Sequence, residues 1–137
     1  MNQPPIITLD TNVLVSGLLN PFGKPGRIVD LLLDRQIRIA LDDRILLEYR
    51  QVLRRPKFGF PRVSVDRLLA IASYQERITP QPWPHPPSPD PHDTVFLEVA
   101  AASSGLLITG NLRHFPKSCR GPVRVLDPHT WLAQGEG

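Results

Sequence analysis

Asp10 closes the β-branched run Ile6-Ile7-Thr8-Leu9, Glu48 lies inside the amphipathic stretch 44–54, and Asp90 and Asp93 flank Pro91 ahead of a largely apolar segment. Taken singly, these are ordinary positions: a strand-end acid, a glutamate on the polar face of a helix, and two acids that complement a helix dipole. Taken together they point to chemistry. Carboxylates gathered in one place raise one another's pKa and stay ionised only beside a compensating positive charge. A hard divalent cation such as Mg²⁺ provides that charge, and two or three carboxylates suffice because it keeps several waters. It also brings water activation and a bridge to a phosphate oxygen. Zinc chemistry is disfavoured: His85, His92, His114 and His129 lack helical pair spacing, and Cys119, the single cysteine, cannot build a thiolate site.

The elements that would position these acids follow from periodicity. Ile6 to Leu9 reads as a buried strand, with Thr11-Asn12 capping a short helix through Leu19. Pro25 opens a second helix carrying Ile28, Leu31 and Leu32. Ile37, Ile39 and Leu41 alternate with Arg38 and Ala40 as a second strand. Asp42-Asp43 caps a helix from Arg44 to Arg54, which the apolar residues flanking Glu48, Leu47 among them, mark as well packed. Lys57 to Pro61 is a loop, and a further helix starts at Ser64 or Asp66. Seven prolines between 80 and 91 exclude any regular element there and leave an extended connection. Asp93 enters the helix that Gly105 ends, Leu106 to Thr109 is a buried strand, and Val123 to Leu126 is the last strand before a turn at Asp127-Pro128. Strands alternate with helices, which predicts a three-layer α/β/α domain on a parallel sheet. In such a sheet ligands sit beyond the carboxyl ends of the strands, where Asp10, Thr109 and Asn111 fall.

The 137 residues, 41% hydrophobic and 21% charged, suit a single domain over 1–137 with a genuine core. The net charge of +3 permits a polyanionic partner without requiring one. One cysteine excludes an intrachain disulfide and fits a reducing compartment. Met1 to Pro5 carries no basic run, and Asp10 interrupts the first apolar segment, so neither a signal peptide nor a membrane span is expected and the protein should be cytoplasmic. No Gly-rich dinucleotide fingerprint and no P-loop is present. A phosphatase of the haloacid-dehalogenase type needs a second aspartate two residues after the first, and Asn12 stands there.

The run Leu9-Asp10-Thr11-Asn12-Val13-Leu14-Val15-Ser16-Gly17-Leu18-Leu19 closely resembles the opening of PIN domains. So do Asp90-Pro91-His92-Asp93-Thr94-Val95-Phe96-Leu97-Glu98-Val99-Ala100 and Leu107-Ile108-Thr109-Gly110-Asn111-Leu112-Arg113-His114-Phe115, while Glu48 falls where that family keeps its mid-chain glutamate. The nearest group is similar to the toxins of type II toxin–antitoxin pairs in bacteria and archaea. The resemblance implies a parallel sheet of four or five strands and Mg²⁺- or Mn²⁺-dependent hydrolysis of RNA phosphodiesters. It also implies a homodimer and a cognate antitoxin protein. Carried over residue by residue, Asp10, Glu48 and Asp93 are the catalytic, metal-binding acids, with Asn12 and Thr109 supporting them. Asp90 either joins the outer shell or caps the helix. Many members have a fourth acid where this chain has Asn111, which supplies no charge and leaves open whether one or two ions bind.

Six cations, Arg50, Arg54, Arg55, Lys57, Arg62 and Arg67, are opposed within 50–67 only by Asp66, and 99–126 holds four cations and no acid. Either stretch contacts RNA phosphates or is a solvated face. Arg113 and His114 directly follow the strand-end residues and are the favoured substrate contacts. Phe58, Phe60 and Trp83 either stack bases or serve packing. Trp131 reads as a packing anchor, and Cys119 as incidental. The rival reading is a PIN-like module that binds RNA or protein with weak or no turnover.

Overall fold

Residues 3–134 are described by the computed structural model. The apolar runs pair into four parallel strands, β1 (Ile6–Leu9), β2 (Arg38–Ile39), β3 (Leu106–Ile108) and β4 (Arg124–Leu126), ordered β2-β1-β3-β4. β1 and β3 are near-continuous hydrophobic runs because both lie inside the sheet with helices against their faces. Register sets Ile7 opposite Ile39, Leu9 opposite Ile108, and Ile108 opposite Leu126. The chain leaves β1 to one side to make β2 and returns on the other side as β3. The crevice beyond the carboxyl ends of β1 and β3 is therefore a topological switch point, the usual ligand position in such sheets.

Among the described residues six α-helices flank the sheet in a three-layer α/β/α arrangement: α1 (Thr11–Leu19), α2 (Lys24–Leu33), α3 (Asp43–Leu53), α4 (Arg62–Ser73), α5 (Thr94–Ala101) and α6 (Pro128–Ala133). α1 and α2 pack closely because Gly26 lies against the turn between them; a Cβ there would sit 2.2 Å from the Pro21 carbonyl oxygen. α3 starts where Asp42 accepts a hydrogen bond from the Ile45 N–H at 3.1 Å, and it buries Ile45, Leu46, Tyr49 and Leu53. α5 buries Phe96, Leu97, Val99 and Ala100. Gly105, at φ +77°, ends its turn by donating to the Ala100 carbonyl at 2.7 Å.

Several boundaries differ from the sequence reading. Thr11 and Asn12 are not caps: α1 begins at Thr11, Asp10 takes the cap position through its backbone, and the Thr11 and Asn12 side chains reach across to other elements. β2 pairs only through Arg38 and Ile39, and Leu41 forms a separate bridge to Arg77, because the chain turns into α3 at Asp42. Leu47 is 48% exposed, so it lies opposite the packed stripe of α3. α4 begins at Arg62, two residues ahead of the earliest predicted start, because Pro61 sets the preceding backbone. Pro56–Phe58 closes into a 3₁₀ turn. The expected turn at Asp127 is a true helix, capped by Asp127 and anchored by buried Trp131. The proline-rich segment is irregular as predicted, yet Ser88 within it is buried.

Candidate functional site

Asp10 leaves the end of β1 with its side chain 5% exposed, and its backbone N–H continues the sheet by donating to the Ile108 carbonyl at 2.9 Å. Thr109, fully buried just past β3, donates its hydroxyl to Asp10 Oδ2 at 2.9 Å. Asn12 spans the same crevice: its Oδ1 accepts from the Gly110 N–H at 2.9 Å and its Nδ2 faces Thr109 Oγ1 at 3.4 Å. Glu48 reaches the site from α3, where Thr11 donates a hydrogen bond to its Oε2. Behind it, buried Tyr49 donates to the Leu9 carbonyl at 2.6 Å and locks α3 against the end of β1. Asp93 stands at the start of α5 and makes no capping bond with its side chain. The helices carrying Glu48 and Asp93 are tied by Arg44, which lies 2.8 Å from Glu98.

These acids feel one another. Burial raises the Asp10 carboxyl above its ordinary value, the Glu48 charge adds to the rise, and the Thr109 hydrogen bond opposes it. Asp93 is raised to about 6, first by desolvation and then by the charge of Asp10, with Asp90 and Glu48 adding and His114 opposing. Tyr49 is held well above its usual value by burial, Asp10 and Glu48. Side chains separated by up to 83 positions in sequence thus form one electrostatic cluster at the switch point.

Of the remaining sequence candidates, Asp90 caps the 3₁₀ turn Pro91–Asp93 by accepting from the His92 N–H; its carbonyl accepts from the Asp93 N–H at 2.9 Å, and its charge adds to the rise at Asp93. Asn111 turns its amide to the loop, its Oδ1 accepting from the Arg113 N–H at 3.2 Å and its Nδ2 lying 3.0 Å from His114 Nε2. His114 Nδ1 lies 3.4 Å from Asp93 Oδ2. The Arg113 side chain is exposed and has no carboxylate partner among the described residues. Phe58 and Phe60 stack on each other at 5.2 Å, and the Trp83 indole N–H is used by the Cys119 carbonyl. Three contributors escaped the sequence reading. Thr11 and Tyr49 looked like a cap and a core residue, and Ser88 lay hidden among prolines, although its hydroxyl donates to the His114 carbonyl at 2.6 Å.

The sequence model of the PIN domain matches residues 7–113, which takes in all three acids and the sheet from β1 to β3. The chain belongs to the PIN domain family. An uncharacterized protein of Methanocaldococcus jannaschii is 31% identical over 108 residues, covering 77% of this chain and 70% of that protein. No solved structure matches. PIN domains are generally nucleases that use divalent metal ions, so the four-stranded sheet and its acidic crevice belong to a nuclease-like fold.

The donor set of this PIN domain suits a hard cation. Asp10, Glu48 and Asp93 offer only oxygen, and Asp93 Oδ2 is buried without a formed hydrogen bond. Burial first, and the neighbouring carboxylates second, raise the Asp10 and Asp93 carboxyls, so a bound cation would favour their ionised forms. Among the described residues, no three His, Cys, Asp or Glu side chains are arranged as a ready-made metal cage. Among the described residues no helix is long and apolar enough to cross a membrane.

Proposed function

We propose that this PIN domain is a Mg²⁺- or Mn²⁺-dependent endoribonuclease that hydrolyses RNA phosphodiester bonds at the crevice between β1 and β3. The observation that carries the reading is the mutual electrostatic influence of Asp10, Glu48 and Asp93, brought from three separate segments to one switch point. These three residues would hold the cation. When bound, such an ion supplies Lewis-acid polarisation of a phosphoryl oxygen and activation of water.

The chain's own contribution is placement. Thr109 fixes the Asp10 carboxylate by donating to Oδ2, and Thr11 fixes Glu48 in the same way. Asn12 bridges the two strand ends and keeps their separation constant. The exposed Arg113 guanidinium, two residues past the strand-end network, binds an RNA phosphate and orients the scissile bond. The burial of Asp10 and Thr109 excludes water from the floor of the site, which strengthens charge interactions there.

In its finer form the reading is that of a toxin acting in the cytoplasm as a homodimer and silenced by a cognate antitoxin protein. Co-expression with the product of the adjacent gene tests that part, with relief of growth arrest and a stable complex as the expected outcome. The core reading is tested by Asp10→Asn. This variant should keep the wild-type circular dichroism spectrum and lose RNA cleavage by about 10²-fold or more. Cleavage by purified Asp10→Asn at the wild-type rate overturns the assignment. The commitment of the Asn111 amide to its own loop, where a further acid would add charge, favours one alternative: a module that binds RNA or protein without turnover. Saturable RNA binding with no cleavage in millimolar Mn²⁺ would select it.

A further inference from the structure

We infer that His114 is a positioning residue for Asp93, held for that task by Asn111 in a single tautomer. The inference rests on the proposed role of Asp93 as a metal-binding acid and assigns a task to two residues beside it.

The Asn111 amide has an assigned orientation. Its oxygen is identified by its partner, because Oδ1 accepts from the Arg113 backbone N–H at 3.2 Å, a group that can only donate. The other end, Nδ2, is therefore the atom 3.0 Å from His114 Nε2. An amide NH₂ has hydrogens and no lone pair to offer, so Nε2 must be the accepting, unprotonated ring nitrogen. The ring proton is left on Nδ1. That nitrogen faces Asp93 Oδ2 at 3.4 Å, and Oδ2 is buried without any formed hydrogen bond. The chain Asn111–His114–Asp93 thus leaves the Nδ1–H beside one carboxylate oxygen, at 3.4 Å and short of hydrogen-bond geometry, a distance that a small movement of either side chain would close.

The His114 backbone is held as well. Ser88 is 2% exposed, and its hydroxyl donates to the His114 carbonyl at 2.6 Å. Its own N–H donates to Thr94 Oγ1 at 3.1 Å, in the first turn of α5. The proline-rich segment therefore pins the His114 loop and the start of α5, which carries Asp93, to the same point. The His114 N–H and a cation are two electrophiles that one carboxylate accepts on different lone pairs. A neighbour of this kind fixes the plane of a metal-binding group, and losing it typically costs 10- to 100-fold in metal affinity. His114 is accordingly not free to spend both ring nitrogens on substrate.

Two measurements on the full-length protein test this. Long-range ¹H–¹⁵N spectra of the metal-free protein should show His114 protonated at Nδ1, and Asn111→Asp should move the proton to Nε2 by offering an acceptor there. This readout needs neither metal nor activity. Mn²⁺ affinity, followed by the loss of its free EPR signal, should fall about tenfold in His114→Ala. His114→Asn places an amide N–H near the Nδ1 position and should retain affinity within about threefold of wild type. His114→Gln places its amide near Nε2 and should behave like alanine. A wild-type Nε2–H tautomer overturns the proposal, as does equal Mn²⁺ affinity in wild type and His114→Ala. If wild-type protein binds no Mn²⁺ while the tautomer is as expected, the metal-dependent reading of the site fails and the Asn111–His114–Asp93 geometry stands.

Discussion

Replacing Asp93 by asparagine should move stability in opposite directions with and without metal. In the metal-free protein the Asp93 carboxyl, raised from 3.8 to about 6 by burial and by Asp10, is a group that folding makes harder to ionise. The native state then holds its proton where the unfolded state has lost it, so stability falls as pH rises from about 4 to 6 and the loss is complete above that. A shift of this size corresponds to at most about 3 kcal/mol. Partial exposure and solvent screening reduce it to about 1–2 kcal/mol. Asp93→Asn removes the charge without removing a helix cap, since the Asp93 side chain makes no capping bond. At pH 7.5 in EDTA the variant should therefore melt about 3–7 °C higher than wild type. Its stability should also be flatter between pH 4 and 6. With Mn²⁺ the order reverses: at 100 times Kd a ligand adds about 2.7 kcal/mol to the native state, and the variant should gain little of it. Thermal melts of both proteins in EDTA and in a Mn²⁺ series decide the matter. A lower metal-free melting point in Asp93→Asn refutes the electrostatic argument, and an equal Mn²⁺ gain in both proteins refutes the metal assignment.

Other consequences follow from single contacts. Among the described residues the Thr8 hydroxyl is buried without a hydrogen-bond partner, so Thr8→Val should stabilise the fold by about 1 kcal/mol, read as a higher urea midpoint. Gly26→Ala drives a Cβ into the backbone of Pro21 and Asn20, which cannot yield, and should cost about 2–3 kcal/mol in the same titration. Arg113→Ala should weaken RNA binding about tenfold at low salt and reduce the slope of log affinity against log salt by about one, with no change in melting temperature.

The elements were legible because each is written in local residues. Continuous apolar runs marked β1 and β3, Asp42 and Gly105 marked helix ends, and seven prolines marked the segment where regular structure stops. The candidate acids at 10 and 93 stood out for the same reason, since each follows or precedes an element boundary. Boundaries were less legible where two forces compete. Thr11 has the chemistry of a cap, yet its hydroxyl is drawn to Glu48, 37 residues away.

What no local pattern encodes is which distant groups meet. Glu48 is one of several polar residues on an amphipathic helix, and it turns toward Asp10 because Ile45, Leu46, Tyr49 and Leu53 bury the adjoining stripe. The pinning of His114 by Ser88, 26 residues away, and the raised pKa of Asp93 beside Asp10 arise from contacts between segments distant in the sequence. Periodicity acts over a few residues through backbone geometry and hydrophobic burial. The electrostatics of the crevice depend on distances in space, and those exist only once the parallel sheet has brought the ends of β1 and β3 side by side.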